Sequence, residues 1–340
     1  MKKPSYAWII VALVLLLVGA VLFVVAMSLN HWDFSSFGTQ KLTTRTVDVR
    51  GDFRNIIIQC DTEDIDFVPS TDGTCKVVFK EYEKVTHTAE VQNQVLLIES
   101  KDLRSWYDYI SFFSNGSPSI TVYLPKLEYQ SLLIKESTGD VLLPKDFSFE
   151  SIDITVSTGD IDCSASASGA LKIETDTGDI QLKDASAEEI TLSVHTGKVE
   201  VASVVCQGDV TLTVTTGKAT LSDLSCQNLR STGDTGKLVM KNVIAAGSVF
   251  IVRSTGDVSL EMCDAAEFSI ETSTGDVDLE QCDAAEFSIK TDTGDVTGSL
   301  LTEKIFVTKT NTGRIEVPLS TTGGTCQITT NTGNIKIEIR

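Results

Sequence analysis

The sequence predicts an all-β protein, a parallel β-solenoid of 19–20-residue coils preceded by one N-terminal transmembrane helix. Three observations predict this fold. A Thr-Gly pair recurs every 19 or 20 residues from Thr138 to Thr332. Apolar and polar residues alternate on both sides of each pair, and the first 30 residues contain one long uncharged apolar run. Copies of such constant length indicate a stack of similar units, each of which buries its apolar face against its neighbours.

Each copy of the repeat is built around one turn glycine. These glycines are Gly139, Gly159, Gly178, Gly197, Gly217, Gly236, Gly256, Gly275, Gly294, Gly313 and Gly333. The second residue after each glycine is apolar, and the fifth residue before it is Ile or Leu in nine of the eleven copies, with Ser231 and Thr308 as exceptions. A period of two is typical of a strand with one buried face. Each copy is therefore predicted to form a strand, a Thr-Gly turn, a second strand and a return loop.

The apolar run near the N-terminus predicts a membrane anchor within residues 1–30. Lys2 and Lys3 precede uncharged residues 6–29, and about 20 apolar residues are enough to span a bilayer. Flanking positive charge favours the cytoplasmic side, so we expect a single-pass protein of the cell membrane that contacts the bilayer through residues 6–29. Its N-terminus would be cytoplasmic and its C-terminal domain extracellular. A cleaved signal peptide is the alternative, although its apolar region is usually shorter, about 7–15 residues.

The rest of the chain divides into three predicted segments. These are a polar stalk over residues 31–44, irregular N-terminal β coils that cap the solenoid over residues 45–136, and the regular solenoid over residues 137–340. Terminal repeats of a stack must be atypical to cover its open end. Asp64 lies 76 residues, four times 19, before Asp140, which predicts that both occupy the same repeat position. The last copy ends the chain with IKIEIR, so we expect it to form the exposed end of the stack.

A ladder of charged residues follows the turn glycines. Its members Asp257, Asp276 and Asp295 belong to successive copies and would lie about 4.8 Å apart. Calcium takes several oxygen ligands at about 2.4 Å, so this trio is the candidate metal site, and calcium is the one cofactor considered. The alternative is a solvated ladder of ordinary turn residues, because Asp is favoured in turns. The formal net charge of −19 argues against nucleic acid as a partner.

Aromatic residues and cysteines supply two further candidates. One aromatic segment is a candidate contact patch for a partner or for the lipid interface, or else a plug for the membrane-proximal end of the solenoid; it contains Trp106, Tyr107, Tyr109, Phe112 and Phe113. Exported proteins often contain disulfides, and two cysteine pairs share a repeat position, Cys206 with Cys226 and Cys263 with Cys282. In-register residues are close enough for a disulfide, but their side chains point the same way, which would strain the bond.

Residues 119–143, SITVYLPKLEYQSLLIKESTGDVLL, contain a strand that ends in V-x-L-P, a second strand and then S-T-G-D-V. The last motif returns as S-T-G-D-I and T-D-T-G-D-I. This pattern resembles the putative-adhesin family of bacterial β-strand-repeat proteins, and the resemblance covers about residues 45–340. It implies an exported, non-enzymatic, adhesin-like domain, anchored to the membrane in some relatives, with no catalytic residues to carry over.

The predicted function is that of a non-enzymatic, membrane-anchored extracellular module with a structural or binding role and an unidentified protein or glycan ligand. One alternative is an accessory component of a cell-envelope stress or signalling system. A third is a polysaccharide-active β-helix enzyme, since paired carboxylates can act as acid and base. The carboxylates of this chain recur evenly instead of clustering, and its three histidines lie in no recognisable catalytic motif. Both observations favour a protein that is not an enzyme.

Overall fold

The computed structural model describes residues 6–29, 32, 42–103 and 116–340. Its helix and first strands are α1 (Tyr6–Leu29), β1 (Leu42–Asp48), β2 (Asn55–Cys60), β3 (Asp64–Pro69), β4 (Lys76–Tyr82), β5 (Val85–Gln92), β6 (Val95–Asp102), β7 (Ser119–Leu124), β8 (Glu128–Thr138), β9 (Val141–Leu143), β10 (Ser148–Thr158), β11 (Ile161–Cys163), β12 (Ser166–Ala167), β13 (Ala170–Thr177), β14 (Ile180–Lys183) and β15 (Ser186–Ala187). The remaining strands are β16 (Glu189–Thr196), β17 (Val199–Cys206), β18 (Asp209–Thr216), β19 (Ala219–Cys226), β20 (Asn228–Thr235), β21 (Leu238–Thr255), β22 (Val258–Glu261), β23 (Asp264–Thr274), β24 (Val277–Thr293), β25 (Val296–Leu300), β26 (Lys304–Thr312), β27 (Ile315–Glu316), β28 (Gly324–Thr332) and β29 (Ile335–Ile339).

The strands form the parallel β-solenoid that the repeat predicts. In one coil, for example, β13 leads into the turn at Gly178 and β14 leaves it. Equivalent strands of successive coils pair in parallel and in register, so that Ile154 lies opposite Ile173 and Ile161 opposite Ile180. These side chains point inward and are almost completely buried. The inward residues of all the coils form one continuous apolar core along the axis of the stack.

The turn glycines lie in one column along this axis. Their φ angles fall between +136° and +156°, a region that favours glycine. A Cβ atom added at any of them would lie 1.6–2.3 Å from a carbonyl oxygen of the adjacent coil. Each corner also joins the next by a backbone hydrogen bond, as where the N–H of Gly178 donates to the carbonyl of Thr196 at 3.0 Å. Glycine at this position therefore lets successive coils approach closely enough to pair.

The C-terminal end of the stack departs from sequence order. Strands β28 and β29 pair with β24 and β25 on one side and with β26 and β27 on the other. The expectation that IKIEIR forms the outermost coil is therefore wrong, although residues 337–339 pair with β25 alone in the described part of the chain. The segment that contains β26 and β27 skips one level of the stack, and the last strands of the chain occupy the skipped level. In the described part of the chain, β26 and β27 form the end coil.

Ser231 and Thr308 stand five residues before their turn glycines, where the other copies have Ile or Leu, and they are tolerated for different reasons. Thr308 lies on the end coil and is only half-buried. A polar residue at this position therefore costs little stability. Ser231 is fully buried and accepts a hydrogen bond at 2.8 Å from Nη2 of Arg253, a buried residue of the next coil. Gly233 makes room for this guanidinium, since an added Cβ would lie 1.8 Å from Nη1 of Arg253. Burial lowers the pKa of Arg253 to about 10.

The N-terminal end is closed by antiparallel strands. Here β6 and β7 form a coil that pairs in parallel with β2 and β3. It is covered on its outer side by β5 and β4, which run antiparallel to it, and β1 pairs with β4. Strand β1 begins at Leu42, before the end of the expected stalk at residue 44. On their inner side, β2 and β3 pair with β8 and β9, and Ile65 lies opposite Val141. This is the register that the 76-residue spacing predicts.

Hydrogen exchange tests the order of the last two coils. Within the described residues, β28 is paired on both sides and β26 on one side. Backbone amides with fewer protected neighbours exchange faster, so we expect the amides of β26 to exchange roughly tenfold faster than those of β28. Mass spectrometry of the full chain measures this, with β24 as the interior reference. Faster exchange in β28 than in β26 would restore the sequential order and contradict the structure.

Candidate functional site

The aspartates that follow the turn glycines are hydrogen-bond acceptors for the next coil. Oδ1 of Asp257 accepts the backbone N–H of Asp276 at 3.2 Å, and Oδ1 of Asp276 accepts that of Asp295 at 2.8 Å. Oδ1 of Asp295 in turn accepts the N–H of Asn334 at 2.7 Å. The three carboxylates are thus spread along the axis, each with one oxygen engaged by the backbone. Calcium binding by this trio stays a prediction.

The candidate contact patch of the sequence analysis lies outside the described residues. It comprises Trp106, Tyr107, Tyr109, Phe112 and Phe113. The cysteines, in contrast, are all described, and all eight are free, buried thiols. Cys263 and Cys282 do occupy equivalent positions, since the residues that follow them, Asp264 and Asp283, pair in register. Their geometry is that of two packed thiols in adjacent coils.

A row of ionisable groups, buried except for Arg45, crosses the N-terminal cap. His87, on β5, and Glu63, in the turn before β3, are 2% and 1% exposed. Nδ1 of His87 lies 2.7 Å from Oε2 of Glu81, and Nε2 lies 3.1 Å from Oε1 of Glu63. Arg45, on β1, donates to both carboxylate oxygens of Glu81 and to the carbonyl oxygen of His87. The row therefore alternates cationic and anionic groups from Arg45 to Glu63.

Burial and mutual attraction act in opposite directions on the pKa values of this row. Burial disfavours the charged forms of Glu63 and His87, but their contact with each other, together with Glu81 beside the imidazole, outweighs it. The pKa of Glu63 is therefore lowered and that of His87 is raised. Glu136 behaves differently, because burial and then the charge of Glu63 raise its pKa to about 9. Oε1 of Glu136 accepts the N–H of Glu63 at 3.2 Å, whereas Oε2 has no hydrogen-bond partner among the described residues.

An open cleft of about 840 Å³ lies beside this row. Its walls include Cys60 and Glu136, which face each other across the pairing of β2 with β8. The Sγ atom of Cys60, a carboxylate oxygen of Glu63 and a ring nitrogen of His87 all lie within 4.8 Å of one another. Sequence reasoning missed this group because its members come from two irregular segments of the cap, and no regular spacing links them.

Exposed apolar side chains gather at the other end of the solenoid. Ile305 and Val307 on β26 are 40% and 54% exposed, and Ile315 on β27 is 42% exposed. Leu319, in the loop after β27, is completely exposed. Because β26 pairs with a strand on one side only in the described part of the chain, this coil combines a free strand edge with an apolar surface.

Helix α1 is long and apolar enough to cross a membrane. The qualifying segment is Ile10–Leu29, and nearly all of its described side chains are exposed. The evidence for a membrane span is the length and composition of this helix, and a signal sequence has the same properties. The observed helix thus agrees with the predicted anchor without deciding between the two.

The Toastrack DUF4097 family model matches residues 53–232 and 207–340, and so covers both the cap and the regular coils. The chain belongs to the Toastrack DUF4097 family. This confirms the adhesin-like resemblance and the solenoid fold that the sequence predicts. No curated protein matches this Toastrack chain.

Solved structures similar to this Toastrack protein include three bacterial proteins of low sequence identity. A putative adhesin from Bacteroides fragilis is 14% identical, with 88% of this chain and 99% of that chain covered and a TM-score of 0.37. A putative adhesin from Parabacteroides distasonis is 12% identical, with 88% and 98% covered and a TM-score of 0.34. A putative lipid binding protein from the same organism is 13% identical, with the same shares covered and a TM-score of 0.31.

Substitution of Asp276 tests the role of the aspartate ladder. Asp276→Ala removes the acceptor for the N–H of Asp295, and we expect it to lower the free energy of unfolding by about 1 kcal/mol. Asp276→Asn keeps an acceptor oxygen and should leave the free energy nearly unchanged. Urea unfolding of the full chain, with and without calcium, measures both variants. Equal losses in the two variants, or wild-type stabilisation by calcium that both abolish, would favour a carboxylate-dependent metal site instead.

Proposed function

We propose that this Toastrack protein is a non-enzymatic, membrane-anchored, adhesin-like module that holds a rigid solenoid outside the cell and binds a protein ligand with its end coil. The observation that carries the binding role is the free edge of β26 with the exposed side chains of Ile305 and Val307. Monomeric proteins normally shield such an edge, because it is a template for pairing with another chain.

The chemistry of the end coil favours an extended protein segment as the ligand. An exposed strand edge binds peptides by adding a strand, with main-chain hydrogen bonds for affinity and side-chain contacts for specificity. Along β26 the exposed residues Ile305 and Val307 alternate with half-buried residues. Their side chains therefore share one outer face of the strand, where they would contact the side chains of a strand added at its edge. Such apolar contacts suit a peptide better than a glycan, which is the alternative ligand.

The anchor and the orientation are part of the same proposal. In this arrangement α1 crosses the bilayer, and Lys2 and Lys3 hold the N-terminus in the cytoplasm. The N-terminal cap then follows the membrane segment after residues 30–41, and the end coil lies at the opposite end of the stack. Successive coils lie about 4.8 Å apart, so the stack would carry the end coil away from the membrane surface.

The regular carboxylates support a non-enzymatic role. Oδ1 of Asp160, for example, accepts the backbone N–H of Asp179 at 2.8 Å, and the same contact recurs along the ladder. Carboxylates that recur in this way brace the turns and are not gathered into one acid–base pair.

Adherence assays test the proposal. Bacteria that display the full chain are applied to surfaces coated either with bacterial envelope proteins or with purified cell-wall glycans. We expect display to raise adherence to the protein-coated surface several-fold over cells that lack the chain. Val307→Glu should return adherence to the background level, because a charge beside the free edge opposes apolar contact. Val205→Glu is the matched control, since Val205 is equally exposed at 53% but lies on an interior coil.

Three outcomes would contradict parts of the proposal. Equal adherence with and without the chain would remove the binding role, and a stress-response defect on deletion would then favour the accessory role. Adherence to the glycan surface alone would replace the protein ligand by a glycan. Release of the solenoid from membranes washed with alkaline carbonate would show that the segment of residues 6–29 is not an anchor.

A further inference from the structure

The geometry points to a zinc site in the N-terminal cap, formed by Cys60, Glu63 and His87. The three donor atoms lie within 4.8 Å of one another, and all three residues are buried. One sulfur, one nitrogen and one oxygen donor suit zinc, which binds Cys at about 2.3 Å and His or carboxylate at about 2.0–2.2 Å in tetrahedral geometry. Calcium and magnesium prefer oxygen ligands alone, so this site differs in kind from the aspartate ladder.

The orientation of His87 supports this assignment. Its Nδ1 lies 2.7 Å from Oε2 of Glu81, and Arg45 fixes that carboxylate from the other side. Metal-binding histidines commonly donate one ring N–H to a carboxylate, which fixes the tautomer and leaves the other nitrogen for the metal. In His87 the other nitrogen, Nε2, faces Glu63. The face of the imidazole stacks on the ring of Phe79, with the ring centroids 5.1 Å apart, which further restricts its orientation.

Two buried atoms at this place lack a hydrogen-bond partner among the described residues. Nε2 of His87 lies 3.1 Å from Oε1 of Glu63, but the two groups are not aligned for a hydrogen bond. Oε2 of Glu136 is also unpartnered, although Glu136 is only 5% exposed. Buried polar atoms are almost always paired in folded proteins, so the unpartnered oxygen of Glu136, beside a thiol and the poorly aligned ion pair of His87 with Glu63, indicates a ligand that these groups share.

The cleft provides a path for the ion and a nearby carboxylate. Glu136 faces Cys60 across the strand pair, and both residues line the cleft of about 840 Å³. An ion that enters from the cleft passes both Cys60 and Glu136, and we take Glu136 as the candidate fourth ligand. Binding of a divalent cation would release the protons of Cys60, His87 and Glu136, because a metal takes its ligands as thiolate, neutral imidazole and carboxylate, while Arg45 remains paired with Glu81.

Zinc at this place would join parts of the cap that are distant in sequence. Cys60 ends β2, Glu63 precedes β3, and His87 belongs to β5, which covers the coil formed by β6 and β7. Binding to the folded form alone stabilises that form. The ion would therefore hold β5 against the coils and keep the N-terminal end of the solenoid closed.

Cobalt titration tests the site, since Co²⁺ reports thiolate ligands by its absorption. The full chain, solubilised in detergent, reduced and freed of metal with a chelator, should bind one Co²⁺ per chain with a thiolate-to-metal charge-transfer band, and Zn²⁺ should displace it. Cys60→Ser should abolish the band, and His87→Gln should weaken binding at least tenfold. Glu81→Gln, which removes the carboxylate behind the imidazole, should weaken it by about 10- to 100-fold.

Matched controls come from the same chain. Cys75→Ser removes another buried thiol of the cap, and His195→Gln removes an exposed imidazole; both should bind cobalt as the wild type does. Failure of the wild type to bind one Co²⁺, or a band that survives Cys60→Ser, would overturn the site. Because the variants could misfold, X-ray absorption of the zinc-loaded wild type gives an independent test. One sulfur at about 2.3 Å supports the assignment, and a shell of oxygen and nitrogen alone refutes it.

Discussion

The close approach of backbones at the Thr-Gly corners is the constraint on which the rest of the structure depends. At Gly217 an added Cβ would lie 1.7 Å from the carbonyl oxygen of Gly197. This approach sets every coil directly upon its neighbour, and it therefore aligns the inward Val, Ile and Leu side chains into one core. It also places each ladder aspartate where its carboxylate can accept the next backbone N–H. Turn geometry, core packing and surface ladder are thus three consequences of one column of glycines.

The terminal coil at each end of a stack has a neighbouring coil on one side only, and the two ends of this solenoid are built differently. At the N-terminal end, β4 and β5 run antiparallel to the coil that they cover, and ionisable residues are buried between cap elements. At the C-terminal end, the last strands are inserted one level inside the stack, so β28 and the first two residues of β29 are paired on both sides. The coil left at the outside keeps a free edge. The closed end thus carries buried donor groups, and the open end carries apolar surface.

The sequence predicts the regular coils well because their pattern has a physical period. The period places each Thr-Gly corner, and the spacing from Asp64 to Asp140 gives the correct register of an irregular coil. The order of the last coils is not predictable in this way, since similar apolar patterns fit any level of the stack. A second column of left-handed corners, six residues after the glycines, was also missed. Its first members, Asp184 and Ser203, are residue types that are common in turns. Met262 and Gln281 adopt the same positive φ, but their residue types do not predict a turn. The cap cluster has no period at all.

Replacement of Gly217 by Ala in the full chain measures the central constraint most directly, with Gly73→Ala as the control. Both glycines have positive φ, but Gly73 has no atom within 4 Å of an added Cβ. The account predicts that Gly73→Ala lowers the free energy of unfolding by about 1 kcal/mol, the cost of the backbone conformation alone. Gly217→Ala should cost about 3 kcal/mol or more, because its φ of +142° is less accessible to alanine than the +73° of Gly73 and because two coils must also separate. Equal losses in urea unfolding would contradict the account.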